Sequence, residues 1–168
     1  MPYFLSTERI GFREWVDNDL KLALELWGDV EVTRFIGGPF SDEIIYQRLS
    51  REIANQMEYG ISYWPIFLLE TGEHIGCCGL KPYAAEKKIL ELGFHLRRNQ
   101  WCRGYATEAA IAVIDYAFNT LKIDGLFAGH HPANTSSRRL LEKLGFKYTH
   151  DELYPPTGLQ HSSYIFER

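Results

Sequence analysis

The chain has 168 residues, of which 45% are hydrophobic and 14% aromatic, enough for one packed domain and too apolar for a disordered segment. Its net charge of −4, with no Lys/Arg block, gives no general attraction to nucleic acid. No apolar run is long enough to span a bilayer or serve as a leader. Three cysteines, Cys77, Cys78 and Cys102, fit no metal spacing, so no metal is expected, and a reduced, cytoplasmic setting away from membranes is predicted.

The first strand is predicted over Arg9–Trp15. Asp17–Trp27 reads as a helix capped by Asp17, with Leu20, Ala23, Leu24 and Trp27 at helical spacing. A short helical piece falls around Val30–Ile36, ahead of a break at Gly37-Gly38-Pro39. Ser41 caps a longer helix with the stripe Ile45, Leu49, Ile53 and Met57. Tyr63–Glu70, His74–Leu80 and Lys88–Leu96 then read as an antiparallel meander, in which neighbouring Cys77 and Cys78 point to opposite faces. Gly104–Leu121 is a helix, with Ala106, Ala110, Val113, Ile114, Ala117 and Phe118 on one face. Gly125–His131 is a strand, Thr135–Leu144 a second amphipathic helix, and Phe146–Leu153 and Ser162–Phe166 the final strands. There is no repeat or linker, and the order of elements predicts one α/β domain over residues 1–168, a mixed sheet with helices on both faces.

Two strings carry chemistry. RGYATEA, Arg103–Ala109, turns a strand–loop passage into a helix whose mouth holds no bulky apolar side chain. The first backbone N–H groups of a helix lack internal partners, and the helix dipole adds positive charge there. Gly104 lets the backbone approach a ligand, which makes a phosphate seat built from main-chain amides. One element later stands NTSSRRLLEKLGF, Asn134–Phe146. Its Asn134 is a natural N-cap, and Gly145 a helix stop. In the strand ILELGFHL, Glu91 alternates with Leu90 and Leu92; a carboxylate placed so is either paired structurally or functional. His130 and His131 close the strand before Asn134 and cannot share a face, and each is either a proton relay or a satisfied polar side chain.

The two strings, in this order, resemble the acetyl-CoA-binding core of the GCN5-related N-acetyltransferases (GNAT), and RGYATEA with LLEKLGF looks most like the RimJ/RimL-like branch. The resemblance implies a GNAT-type fold, with a mostly antiparallel sheet of about six to seven strands splayed between its two central parallel strands. It implies acetyl-CoA as co-substrate and a direct transfer of acetyl to a primary amine, either a protein N-terminus or a small molecule. Carried over, His95 and Leu96 make main-chain contacts to the pantetheine arm, and Arg103, Gly104, Tyr105, Ala106 and Thr107 wrap the pyrophosphate. Asn134 caps its helix and also lies against the pantetheine or acetyl end, while Glu91 matches a general-base position.

The chain departs from the family pattern at three places. Trp101 stands where Gln or Arg is usual, and Cys102 where related chains often have glycine, as a spectator or a reactive thiol. Leu141 replaces the tyrosine that many members use to protonate the leaving thiolate, which leaves Ser137 or an ordered water. Acceptor contacts are expected from Trp27–Phe40 and from the Tyr154–Ser163 loop, with Tyr154, His161 and Tyr164 shaping the pocket. A monomer and a homodimer are equally compatible with the sequence, and a non-catalytic acyl-CoA sensor is the alternative to an enzyme.

Overall fold

Eight strands order themselves β1-β2-β3-β4-β5-β6-β8-β7 in one sheet. The structure is a computed structural model and describes residues 2–168. The strands are β1 (Leu5–Ser6), β2 (Ile10–Phe12), β3 (Tyr63–Leu68), β4 (His74–Ala84), β5 (Ile89–Leu96), β6 (Gly125–His130), β7 (Lys147–Tyr154) and β8 (Leu159–Phe166). Every neighbouring pair is antiparallel except β5 and β6, which run parallel.

The strand beyond the expected seven is β1. Its turn carries no glycine or asparagine signal; instead the Thr7 hydroxyl accepts the Ile10 and Arg9 amides at 2.9 and 3.3 Å, a side-chain substitute for a backbone turn. The first long strand is shorter than expected, because Arg13–Trp15 leave the sheet. Asp17 opens a 3-10 turn and caps nothing. Asp19 ties that turn down, accepting the Val16 amide at 2.9 Å and pairing with Arg13 at 2.7 Å, and α1 (Leu20–Trp27) follows it without a side-chain cap of its own.

The helices α2 (Val30–Thr33), α3 (Asp42–Tyr59) and α5 (Thr135–Leu144) each begin at a side-chain cap: Asp29, Ser41 and Asn134 respectively. The fourth helix, α4 (Tyr105–Asn119), begins at Gly104, which offers none. One face of the sheet packs Leu80, Leu92 and Leu126 against Tyr105, Ala109, Val113 and Ala117 of α4 and against Leu141 of α5. The opposite face packs Tyr63 and Cys77 against Trp27 of α1 and Ile45 and Leu49 of α3. Cys77 and Cys78 therefore fall in different cores, as strand alternation requires.

The α3 stripe ends early: Met57 is 84% exposed, and the buried position of the second half is Glu52. Leu49→Ala should cost about 2–5 kcal/mol of stability and Met57→Ala no more than about 0.5 kcal/mol in urea unfolding. Equal losses would contradict the orientation of α3.

Candidate functional site

The pairing of β5 with β6 covers only Ile89–Gly125, Leu90–Leu126 and Glu91–Phe127. Beyond Glu91 the two strands part. The phase of the β4–β5 ladder decides which groups face the gap. Arg97 donates its amide to the Ile75 carbonyl at 2.9 Å, so in the register of this pair His95 bonds Cys77 and Gly93 bonds Gly79. A Cβ at Gly76 of β4 would strike the His95 carbonyl, which confirms its direction. The backbone groups of His95 are thus turned away from the gap, contrary to the sequence expectation. Those of Phe94 and Leu96 are turned into it, with the Leu96 carbonyl accepting the Trp101 indole at 3.0 Å. A one-residue error of phase exchanges the two edges of a strand.

At the mouth of the gap, Gly104 (φ 81°) and Cys102 (φ 61°) both adopt the left-handed conformation. Cys102 thus holds a conformation that favours glycine, which cysteine accepts at a cost. The amides of Tyr105, Ala106 and Thr107 begin α4 without a side-chain cap. The Tyr105 side chain is buried, so only its backbone is offered. Arg9 brackets this turn: it bonds Glu108 through Nε at 2.7 Å, donates to the Arg103 carbonyl at 3.2 Å, and lies 4.5 Å from the Tyr105 ring centre. No spacing in the sequence connects Arg9 with Gly104.

On α5, the Asn134 Oδ1 accepts the Ser137 amide at 3.1 Å, so Asn134 is a true N-cap. Ser137 is half-buried one turn in. Leu141 is 1% exposed, a core side chain with no proton to give. Tyr164 does not join the acceptor side: it packs in the α4–α5 core with its hydroxyl 3.2 Å from Nε2 of His130. His130 Nδ1 lies 2.8 Å from the His131 carbonyl and donates to it, which leaves Nε2 to accept from Tyr164. His131 faces the other way, against Phe35 and His161, and His161 stacks on Tyr154.

Glu91, Gly93 and His95 alternate onto the α1–α3 face. Burial pushes the Glu91 carboxyl above the usual range, opposed by the Lys81 ammonium 3.4 Å away. Gly93 is glycine because the Tyr63 phenol lies directly over it. Tyr63 is fixed from both ends: its amide donates to buried Glu52 at 2.7 Å, and its carbonyl accepts the Trp15 indole at 2.6 Å. These two side chains replace β2, which has ended at Phe12. Burial, then the Glu91 charge, raise the Tyr63 hydroxyl well above its ordinary value, so it stays protonated. Burial also lowers His95 to about 3. Its Nδ1 accepts the Trp27 indole at 3.1 Å, leaving the proton on Nε2. Tyr63, Lys81, Glu52 and Trp15 were not singled out in the sequence, although Lys81 stands opposite Glu91 in the ladder and becomes visible once that register is counted.

Residues 9–147 match the sequence model of the Acetyltransferase (GNAT) domain family. The chain is 34% identical over 145 residues to a protein of Bacillus licheniformis described as "Uncharacterized N-acetyltransferase p20", covering 85% of this chain and 82% of that one. An acetyltransferase structure from Agrobacterium tumefaciens superposes with a TM-score of 0.84 at 28% identity, covering 100% of this chain and 95% of that one. The structure of RimL, a ribosomal L7/L12 α-N-protein acetyltransferase, shares the fold at a TM-score of 0.81 and 12% identity, covering 96% and 92%. No helix is long and apolar enough to cross a membrane, and no cluster of metal-binding side chains occurs among the described residues.

With a value of about 3, His95 should stay neutral down to pH 5 and carry its proton on Nε2. Imidazole nitrogen NMR checks both points. Titration between pH 5 and 8 would contradict its burial against Trp27.

Proposed function

The chain belongs to the GNAT acetyltransferase family, RimJ/RimL-like branch, whose reaction takes acetyl-CoA as co-substrate, and we propose that it acetylates a primary amine by direct attack in a ternary complex. The observation that carries this reading is the gap beyond Glu91, with an uncapped helix at its mouth and a raised carboxyl at its apex.

The pyrophosphate is assigned to the amides of Gly104, Tyr105, Ala106 and Thr107, with Arg103 and Arg9 supplying positive charge beside them. The pantetheine arm then runs along the freed edge of β5, bonding Phe94 and the Leu96 amide as an added strand would, with Asn134 across the gap. This leads the thioester to the apex, beside Glu91. The acceptor enters from the α1–α3 face, where Tyr63, Phe127, Tyr83 and Tyr154 form aromatic walls and Glu91 and Glu152 supply negative charge. Such a wall attracts an ammonium group.

Glu91 takes a proton from the ammonium so that the nitrogen lone pair is free to attack the thioester carbonyl. Its raised carboxyl is suited to this, because a base works best with its pKa near the operating pH. Removing the proton at pH 7 costs roughly 1–1.4 kcal/mol for an ordinary α-amine and roughly 4.6 kcal/mol for an ordinary lysine-like amine. A single partly exposed carboxylate suits the easier proton, which favours an α-amine. As the carbon–sulfur bond breaks, the thiolate is protonated by Ser137 or by water held beside it, since Leu141 offers nothing.

Acetyl-CoA at a hundred times its Kd should stabilise the protein by about 2.7 kcal/mol, read as a raised Tm. Gly104→Val should abolish most of that rise while the variant stays folded, because a branched side chain strains a left-handed position. A melt unmoved by millimolar acetyl-CoA in the unaltered protein would refute the reading.

Glu91→Gln should lower kcat on the order of 10²–10⁴-fold with an α-amine acceptor found by screening thiol release, and leave acetyl-CoA affinity unchanged. In the unaltered enzyme, activity falls as pH drops through the raised Glu91 value, because protonation disables the base. Normal turnover by Glu91→Gln would make Glu91 structural.

A further inference from the structure

The seat proposed for the acceptor ammonium is already held by an ammonium. Lys81 Nζ lies 3.4 Å from Glu91 Oε2 and 5.3 Å from the centre of the Tyr63 ring. Those are the carboxylate and the aromatic face that the acceptor reading assigns to the incoming amine. Lys81 reaches them because the β4–β5 register sets it directly opposite Glu91, on the same face of the sheet. Its side chain is 40% exposed, so it is not locked into the core. Glu91 stands on the last paired rung before the gap, so the amine of Lys81 is paired to the carboxylate at the apex to which the freed edge of β5 leads.

We propose that Lys81 is itself an acceptor: with acetyl-CoA present and no substrate amine, the enzyme acetylates its own Lys81. This rests on the acetyl-CoA site argued above. The step balances without a further reactant. Glu91 takes one proton from the Lys81 ammonium, a costlier removal than from an α-amine but made from a cation already held 3.4 Å away, so the step is slower than turnover of an external α-amine, and Nζ attacks the thioester carbon. The carbon–sulfur bond breaks, the thiolate leaves as free CoA thiol with one proton, and the remaining proton passes to water. The product is an uncharged amide beside Glu91. An external amine competes with Lys81 for the same carboxylate, so it should suppress the modification.

The alternative is that Lys81 is only the counter-charge of a half-buried carboxylate. Exposure alone ranks the lysines differently: the Lys21 side chain is 85% exposed and would be labelled faster by uncatalysed acetylation. The test is incubation of the purified protein with acetyl-CoA and no amine, followed by peptide mass mapping over time. Lys81 should gain one acetyl group faster than Lys21, and Glu91→Gln should slow the labelling of Lys81 by roughly a hundredfold while leaving Lys21 unchanged. Lys81→Arg keeps the charge and should remove the fast phase altogether. Labelling of Lys81 no faster than Lys21, or indifference to Glu91→Gln, overturns the proposal. If acetyl-CoA raises the Tm and Lys81 stays unlabelled, self-acetylation alone fails; if acetyl-CoA has no effect on Tm, the proposed function fails with it.

Discussion

Three rungs of parallel pairing, ending at Glu91 and Phe127, hold β5 to β6, and then the strands part. A backbone group buried without a partner costs about 1–3 kcal/mol, so a sheet opened in its middle needs something else to bond. The site is organised around that need. The amide and carbonyl of Phe94 and the amide of Leu96 line one side of the opening, and the capless start of α4 lies at its mouth. A ligand with amide groups along its length and phosphates at one end meets both requirements. Of the four longer helices, α3 and α5 begin at side-chain caps and α1 continues directly from a 3-10 turn, while α4 begins at a glycine with no side chain to offer.

Glu91 sits where the paired and unpaired regimes meet, and opposing effects act on it. Desolvation favours its neutral form, while Lys81 favours the charged one, with desolvation the larger. The result is a carboxyl biased upward yet still tied to a cation. Around it the chain invests in rigidity: Gly93 gives up its side chain to Tyr63, and Glu52 and Trp15 hold the Tyr63 backbone where no strand is left to do so. Sites held by such supports keep their geometry without help from the substrate.

Much of this was legible in the residues. Helical spacing, turn glycines and caps located α3, α4 and α5 to within a residue or two, and alternation separated Cys77 from Cys78 and His130 from His131. The failures have physical causes. The β1–β2 turn is made by the Thr7 hydroxyl and not by a turn residue with a strong signature. The α3 stripe continued in sequence after its partner surface had ended, leaving Met57 in solvent. His95 was expected to turn its main chain to the gap, but the ladder turns it to β4 and turns Phe94 to the gap, since the phase of hydrogen bonding depends on pairing and not on side-chain pattern. Tyr164, on the strand expected after the Tyr154–Ser163 loop, was grouped with that loop as a pocket residue, but alternation along β8 puts it in the opposite core. Arg9 and Tyr63 reach the site only through long-range packing, which no local motif reports.

The central claim is that the freed edge of β5 and the mouth of α4 bind one ligand together. Amide-resolved hydrogen exchange with and without CoA addresses it directly. CoA should slow exchange at Tyr105, Ala106 and Thr107 and at Phe94 and Leu96 in the same titration, with His95 unchanged because its amide is already bonded to Cys77. Protection confined to α4, or protection of His95 with none at Phe94, would contradict the account.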